Sequence, residues 1–178
     1  MYGFDRDGTI IGSLTSYEAN HPQNIKSVQD MVLIQPVVDW INTNGGIVLS
    51  NQDGPSKFKH WVNIAHEFKY LMDIVPGLQA CFWSMAHRGV EGAVCHHLTR
   101  DGQGKLVHGQ TKMEGSTTFR KPDEGMAVLA KKMGYSLTHY MGDLSGNPDY
   151  ANGKDSDLFF ALNSRLKYID VRDFIKGV

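Results

Sequence analysis

The chain has 178 residues, 41% hydrophobic and 21% charged, with 18 basic side chains against 19 acidic ones. A chain this long supports one domain with a real core, burying roughly 70% of its unfolded surface. The apolar content excludes disorder as the default, and the net charge of -1 excludes a polycation built to coat nucleic acid.

No apolar run nears the ~20 residues of a membrane-spanning helix, so no membrane partner is expected. The first residues carry Asp5 and no apolar stretch, which does not read as a secretory leader. Cys81 and Cys95 are too few for a disulfide framework, so a reduced, cytoplasmic setting is expected.

In chain order, Tyr2 to Phe4 reads as a short strand that runs into Asp5-Arg6-Asp7-Gly8-Thr9. A loop rich in Ser, Asn and His follows, to about Asn24. Pro36 suits the first turn of a helix carrying Val37, Val38, Trp40 and Ile41, and Asn44-Gly45-Gly46 stops it. Ile47-Val48-Leu49 is a buried strand ending at Ser50-Asn51-Gln52, with Asp53-Gly54 as a turn. Phe58, Trp61, Val62, Ala65, Phe68 and Leu71 recur at spacings of three and four, predicting a helix over about 55–72.

Residues 78–118 hold short apolar runs (Ala80 to Ser84, Ala93 to Thr99) between Gly-containing turns, and read as a small insertion or edge elaboration of one domain spanning 1–178. A helix follows Pro122 to about Met133, then a strand over Thr138 to Met141 and a long Gly/Asn/Asp loop. The pattern closes with a helix over about Ser156 to Asn163, a strand near Tyr168-Ile169 and a terminal helix. Short strands alternating with helices predict a mostly parallel α/β sheet flanked by helices.

In such a sheet ligands gather at the carboxyl ends of the strands. Asp5, Asp7, Ser50 and Asp143 each follow an apolar run, and Lys121 opens a helix on the same side. Carboxylates converging on one point repel unless a cation lies between them, and oxygen-only ligands suit Mg²⁺. A carboxylate there can attack a phosphoryl group, and an acid two residues on can protonate the leaving oxygen and then activate water. A hydroxyl and an ammonium offer donors to the phosphoryl oxygens. Asp-x-Asp-Gly alone is also an ordinary surface turn. Four signals in workable order, each at the end of an apolar run, favour the chemical reading.

These segments resemble the haloacid dehalogenase superfamily of phosphohydrolases over nearly the whole chain. Phe4-Asp5-Arg6-Asp7-Gly8-Thr9 looks like its first motif and Val48-Leu49-Ser50-Asn51-Gln52 its second; Arg120-Lys121-Pro122 with Gly125-Met126 looks like the third, and Met141-Gly142-Asp143 the fourth. The resemblance implies a three-layer Rossmann-like fold without a large cap domain. It implies Asp5 as nucleophile and Asp7 as general acid/base. Ser50, Asn51 and Lys121 would bind the phosphoryl group. Mg²⁺ would be held by Asp5, the Asp7 backbone carbonyl and Asp143.

Arg-Lys-Pro-x-x-Gly-Met is similar to the branch with histidinol phosphatase, heptose bisphosphate phosphatase and polynucleotide 3′-phosphatase. The tail, Gly142-Asp143 followed by Ser156-Asp157 and Phe160-Ala161-Leu162-Asn163, resembles the last of these. Asp157, 14 residues past Asp143, would support the metal from behind. The implied substrate is a 3′-phosphate nucleic-acid end; the alternative is a small phosphorylated metabolite such as a sugar phosphate or histidinol phosphate. No Gly-x-x-x-x-Gly-Lys-Ser/Thr occurs, so no P-loop kinase is expected.

Plainer readings bound the rest. Cys81, His87, Cys95, His96 and His97 invite a zinc proposal, but the tight Cys-x-His and Cys-x-Cys pairs of the heptose phosphatases are missing, and both cysteines lie in apolar runs. Trp83, His87, Arg88, His96 and Arg100 form either a stacking wall for a single strand or a core tryptophan among solvated neighbours. Asp155 reads either as a second support for the metal or as a helix cap, and Trp40 and Trp61 read as core. A phospho-receiver would need adjacent acids after its first strand, not Asp5 and Asp7. An inactive binding module has no reason to keep Asp5, Asp7, Lys121 and Asp143 together.

Overall fold

A computed structural model describes residues 1–13, 28–52, 61–85, 93–112, 118–148 and 153–178. The expected turn at Asp53-Gly54, the start of the helix from Pro55, His87, Arg88 and most of the early polar loop lie outside them.

Among the described residues there are nine strands and five α-helices. They run β1 (Tyr2–Phe4), β2 (Ile11–Ser13), β3 (Met31–Leu33), α1 (Gln35–Asn44), β4 (Gly46–Gln52), α2 (Trp61–Ile74) and β5 (Leu78–Met85). Then come β6 (Val94–Arg100), β7 (Leu106–Lys112), α3 (Gly125–Lys132), β8 (His139–Gly142), α4 (Ser156–Asn163), β9 (Lys167–Asp170) and α5 (Val171–Lys176).

Seven strands make one sheet in the order β7-β6-β5-β4-β1-β8-β9. The five from β5 to β9 in that order are parallel; β6 and β7 add antiparallel at one edge. The fold is therefore α/β with a mostly parallel sheet, compatible with a Rossmann-like architecture. β5 belongs to the parallel body, so only β6 and β7 answer to the expected elaboration over 78–118. β2, at the start of the expected early loop, and β3, beyond its end at about Asn24, form a two-stranded antiparallel ribbon that sequence reading missed. Three-residue strands are too short to show a period.

Period-2 alternation sorts the core onto two faces. Phe4, Val48, Cys81, Trp83 and Met141 pack with Val37, Val38 and Ile41 of α1, Ile64, Phe68 and Leu71 of α2, and Val171 of α5. Ile47, Leu49, Ala80, Phe82, Cys95 and Tyr140 pack on the other face with Met126 and Ala130 of α3 and Phe160 and Ala161 of α4. Helices thus cover both faces, giving three layers. Trp40 is half-buried against the first cluster. No helix among the described residues is long and apolar enough to cross a membrane.

Candidate active site

The chain leaves β1 in one direction through β4 and β5 and returns on its other side through β8 and β9. Such a reversal of strand order opens a crevice at the carboxyl ends of the strands. β1 and β8 flank it, and Asp5 and Asp143 are the residues that follow them. The ladder continues one residue past β1, with the Asp5 amide donating to the Met141 carbonyl at 2.8 Å. That bond fixes Asp5 beside Gly142-Asp143.

Asp5, Asp143 and Asp157 are all buried and each offers an oxygen within 4.8 Å of the others. Lys121 Nζ enters this group, 2.7 Å from Asp5 Oδ1, 2.5 Å from Asp157 Oδ1 and 2.8 Å from the Tyr140 hydroxyl. Its three N–H donors are thereby all engaged. The Tyr140 hydroxyl donates to the Leu49 carbonyl at 3.0 Å. One ammonium against three carboxylates leaves the cluster short of positive charge. Burial, aided by the Asp157 and Asp7 carboxylates, pushes Asp5 up to about 7 despite the pull of Lys121. A buried, all-oxygen, electron-rich set of this kind fits a hard cation.

Asp157 is thus a direct member of the cluster, with no exposed surface. Its Oδ2 accepts from the Leu144 amide at 3.2 Å. Gly142 makes room for it, since a Cβ there would sit 2.6 Å from Asp157 Oδ2 and 2.7 Å from its Cγ. Asp155 occupies the N-cap position of α4, but its side chain makes no capping bond.

Asn51 is spent on the Lys121 backbone: its Nδ2 donates to the Lys121 carbonyl at 3.0 Å and its Oδ1 accepts from the Lys121 amide at 2.8 Å. In this arrangement it holds the lysine loop. Asn163 Nδ2 braces the same loop through the Pro122 carbonyl at 2.9 Å.

Ser50 and Asn51, adjacent in β4, face opposite sides of the sheet. Ser50 falls with Gln52 and Asp7: Gln52 Nε2 lies 3.0 Å from both Ser50 Oγ and Asp7 Oδ2. Arg6 grips Asp7 through Nε to Oδ1 and Nη2 to Oδ2, each at 3.0 Å, and reaches Glu67 Oε2 at 2.9 Å through Nη1. Burial works against the Arg6 charge, but Asp7 and Glu67 more than offset it, so its proton is held more firmly than in a free arginine. The turn that places Asp7 needs Gly8 at φ 80°, while the Arg6 carbonyl accepts from the Ile10 and Ile11 amides.

The structure therefore brings together Asp5, Lys121, Asp143 and Asp157, with Asp7 and Ser50 joined through Gln52. Sequence reading missed Arg6, Gln52, Glu67 and Tyr140 as parts of this network. Signals existed for two of them. Glu67 is a charge on the apolar stripe of Ile64, Phe68 and Leu71, and Gln52 shares the parity of Ser50.

The other candidates lie elsewhere. Trp83 is wholly buried, its ring stacked 4.6 Å from Phe68 and 5.4 Å from His96, so it offers no face to an incoming base. Arg100 donates to the Met72 carbonyl at 2.9 Å. Cys81 and Cys95 pack on opposite faces of the sheet, where one ion cannot take both, and burial pushes both thiols well up.

No protein family, no curated protein and no solved structure matches the chain.

Proposed function

We propose that the protein is a Mg²⁺-dependent phosphomonoesterase of the haloacid dehalogenase type, acting through a phosphorylated Asp5, with a 3′-phosphate nucleic-acid end as substrate. The observation that carries this reading is the meeting of Asp5, Lys121, Asp143 and Asp157 in one buried cluster at the crevice between β1 and β8.

Asp5, Asp143 and Asp157 would hold the ion, joined by the Asp7 carbonyl as the family resemblance implies. Bound there, Mg²⁺ supplies positive charge to the phosphoryl oxygens and offsets the repulsion among the carboxylates. An Asp5 oxygen attacks phosphorus as the bond to the ester oxygen breaks, and Asp7, entering this step in its protonated form, gives that oxygen its proton. Water then attacks the same phosphorus, Asp7 takes its proton, and inorganic phosphate leaves Asp5. Lys121 has no idle donor, so a phosphoryl oxygen entering the site takes over the N–H that Asp5 now holds. Ser50 Oγ and the backbone at the end of β4 provide further donors.

The substrate assignment rests on the Gly142-Asp143, Ser156-Asp157, Phe160-to-Asn163 tail. Two observations favour the small-metabolite alternative: the net charge of -1 and the burial of Trp83, which removes a stacking platform. Phosphate release from 3′-phosphorylated oligonucleotides and from sugar phosphates, with Mg²⁺ or with chelator, tests both. Faster release from the oligonucleotide is expected. Equal or faster turnover of sugar phosphates overturns the nucleic-acid assignment, and Asp5→Asn protein as active as wild type overturns the mechanism.

A further inference from the structure

We propose that Glu67 and Gln52 are positioning residues for Asp7, Glu67 acting through Arg6, and that together they hold the Asp7 carboxylate in one orientation for its two proton transfers. The inference rests on the phosphatase reading above; it adds Glu67, which lies outside every motif, and gives Arg6 and Gln52 roles that the motifs do not assign.

Asp7 follows a three-residue strand and lies in a tight turn, which fixes its backbone and leaves its side chain torsions free. Its carboxylate is nonetheless held from two sides. Arg6 meets it fork to fork, and Gln52 Nε2 adds a third donor on Oδ2. A sequence neighbour makes such a grip only if its own long side chain is pinned. Glu67 of α2 takes Arg6 Nη1 at 2.9 Å, and the Phe68 ring lies 5.0 Å from the guanidinium carbon. Phe68 is itself stacked on Trp83, so the platform under Arg6 belongs to the rigid core.

Stability alone does not account for this arrangement. Arg6 and Glu67 are both almost wholly buried. Taking a guanidinium and a carboxylate out of water forfeits most of what their attraction returns, and well-packed apolar residues often do as well or better. The charges have a use if they aim a third carboxylate. Gln52 extends the same frame to β4, since its amide nitrogen also lies 3.0 Å from Ser50 Oγ. The acid/base and a phosphoryl-binding hydroxyl therefore share one brace.

Leaving groups separate aim from mere folding. An alkyl ester needs a proton on its departing oxygen, whereas nitrophenolate departs without one. The attack of water on phosphorylated Asp5 needs the base in both cases. Wild type, Glu67→Gln and Gln52→Leu are loaded with Mg²⁺ and followed by rapid mixing. Substrates are p-nitrophenyl phosphate and the alkyl phosphate that wild type turns over fastest.

Both variants should slow the alkyl ester about 100-fold, the scale expected from a misplaced catalytic group. With p-nitrophenyl phosphate they should keep the wild-type burst of nitrophenolate and then turn over slowly. Equal losses in burst and turnover, or no loss, overturn the inference while leaving the phosphatase reading intact. A wild-type protein with no Mg²⁺-dependent release overturns that reading and the inference with it. Should Glu67→Gln fail to fold, Gln52→Leu, which leaves the ion pair in place, decides by the same two rates.

Discussion

Lys121 Nζ lies 2.7 Å from Asp5 Oδ1, although the two residues are 116 positions apart in the chain. The same ammonium is 2.5 Å from Asp157 Oδ1, so one cation holds two buried carboxylates that would otherwise repel. Removing it leaves charges that burial cannot tolerate. Lys121→Met should cost about 3–5 kcal/mol of metal-free stability, the usual result of stranding a buried partner. Urea denaturation with and without Mg²⁺ checks this, and the ion should restore part of the loss.

Asp5→Asn separates chemistry from stability. An amide cannot form the acyl phosphate, so turnover should fall below detection in a phosphate-release assay. Without metal at pH 8 the variant should melt above wild type, because the environment of Asp5 disfavours its charge. Thermal melts at pH 8 and pH 5 decide: the gain should shrink at pH 5, where wild-type Asp5 already carries a proton.

The pH dependence of the metal-free protein follows from the same residue. With a folded value of about 7 against an ordinary 3.8, Asp5 binds more protons folded than unfolded across that window. Its contribution to stability is present at low pH and is lost as pH rises from about 3.8 to 7. A divalent ion must displace that proton, so its affinity should rise over the same window and level off above it. Calorimetric titration with Mg²⁺ at pH 5.5, 6.5 and 8 checks the trend, and affinity independent of pH would contradict it.

Gly142→Ala tests the fit between β8 and α4. The added methyl would lie 2.6 Å from Asp157 Oδ2, and the carboxylate has no slack, being bonded to Lys121 and to the Leu144 amide. A loss of about 1–3 kcal/mol is expected, as for other overpacked sites. Mg²⁺ affinity should fall alongside it; a stable variant with unchanged metal binding would show that Asp157 is not held as described.

Much of this was readable from residue order. The polar residue ending each apolar run marks where a parallel strand delivers a side chain to the crevice, and this located Asp5 and Asp143. The bounds of β1 and α4 agree with the expected Tyr2 to Phe4 and Ser156 to Asn163. Ser50 and Asn51 were expected to share a role, yet the pleat sends neighbours to opposite faces, and Asn51 ends on the Lys121 backbone. That parity was available in the sequence.

Local periodicity and chemistry, then, dictated an alternating α/β chain with acids at its strand ends, because burial pattern and strand polarity are properties of short segments. The assembly of those acids around Lys121 depended on long-range packing. Asp157 enters the cluster because α4 docks against a β8 that lacks a Cβ at Gly142. Arg6 turns inward because α2 offers it Glu67 and Phe68. Trp83 became core because neighbouring strands and α2 closed over it. Each outcome turns on which groups lie within a few ångströms across the fold, a distance that no local pattern encodes.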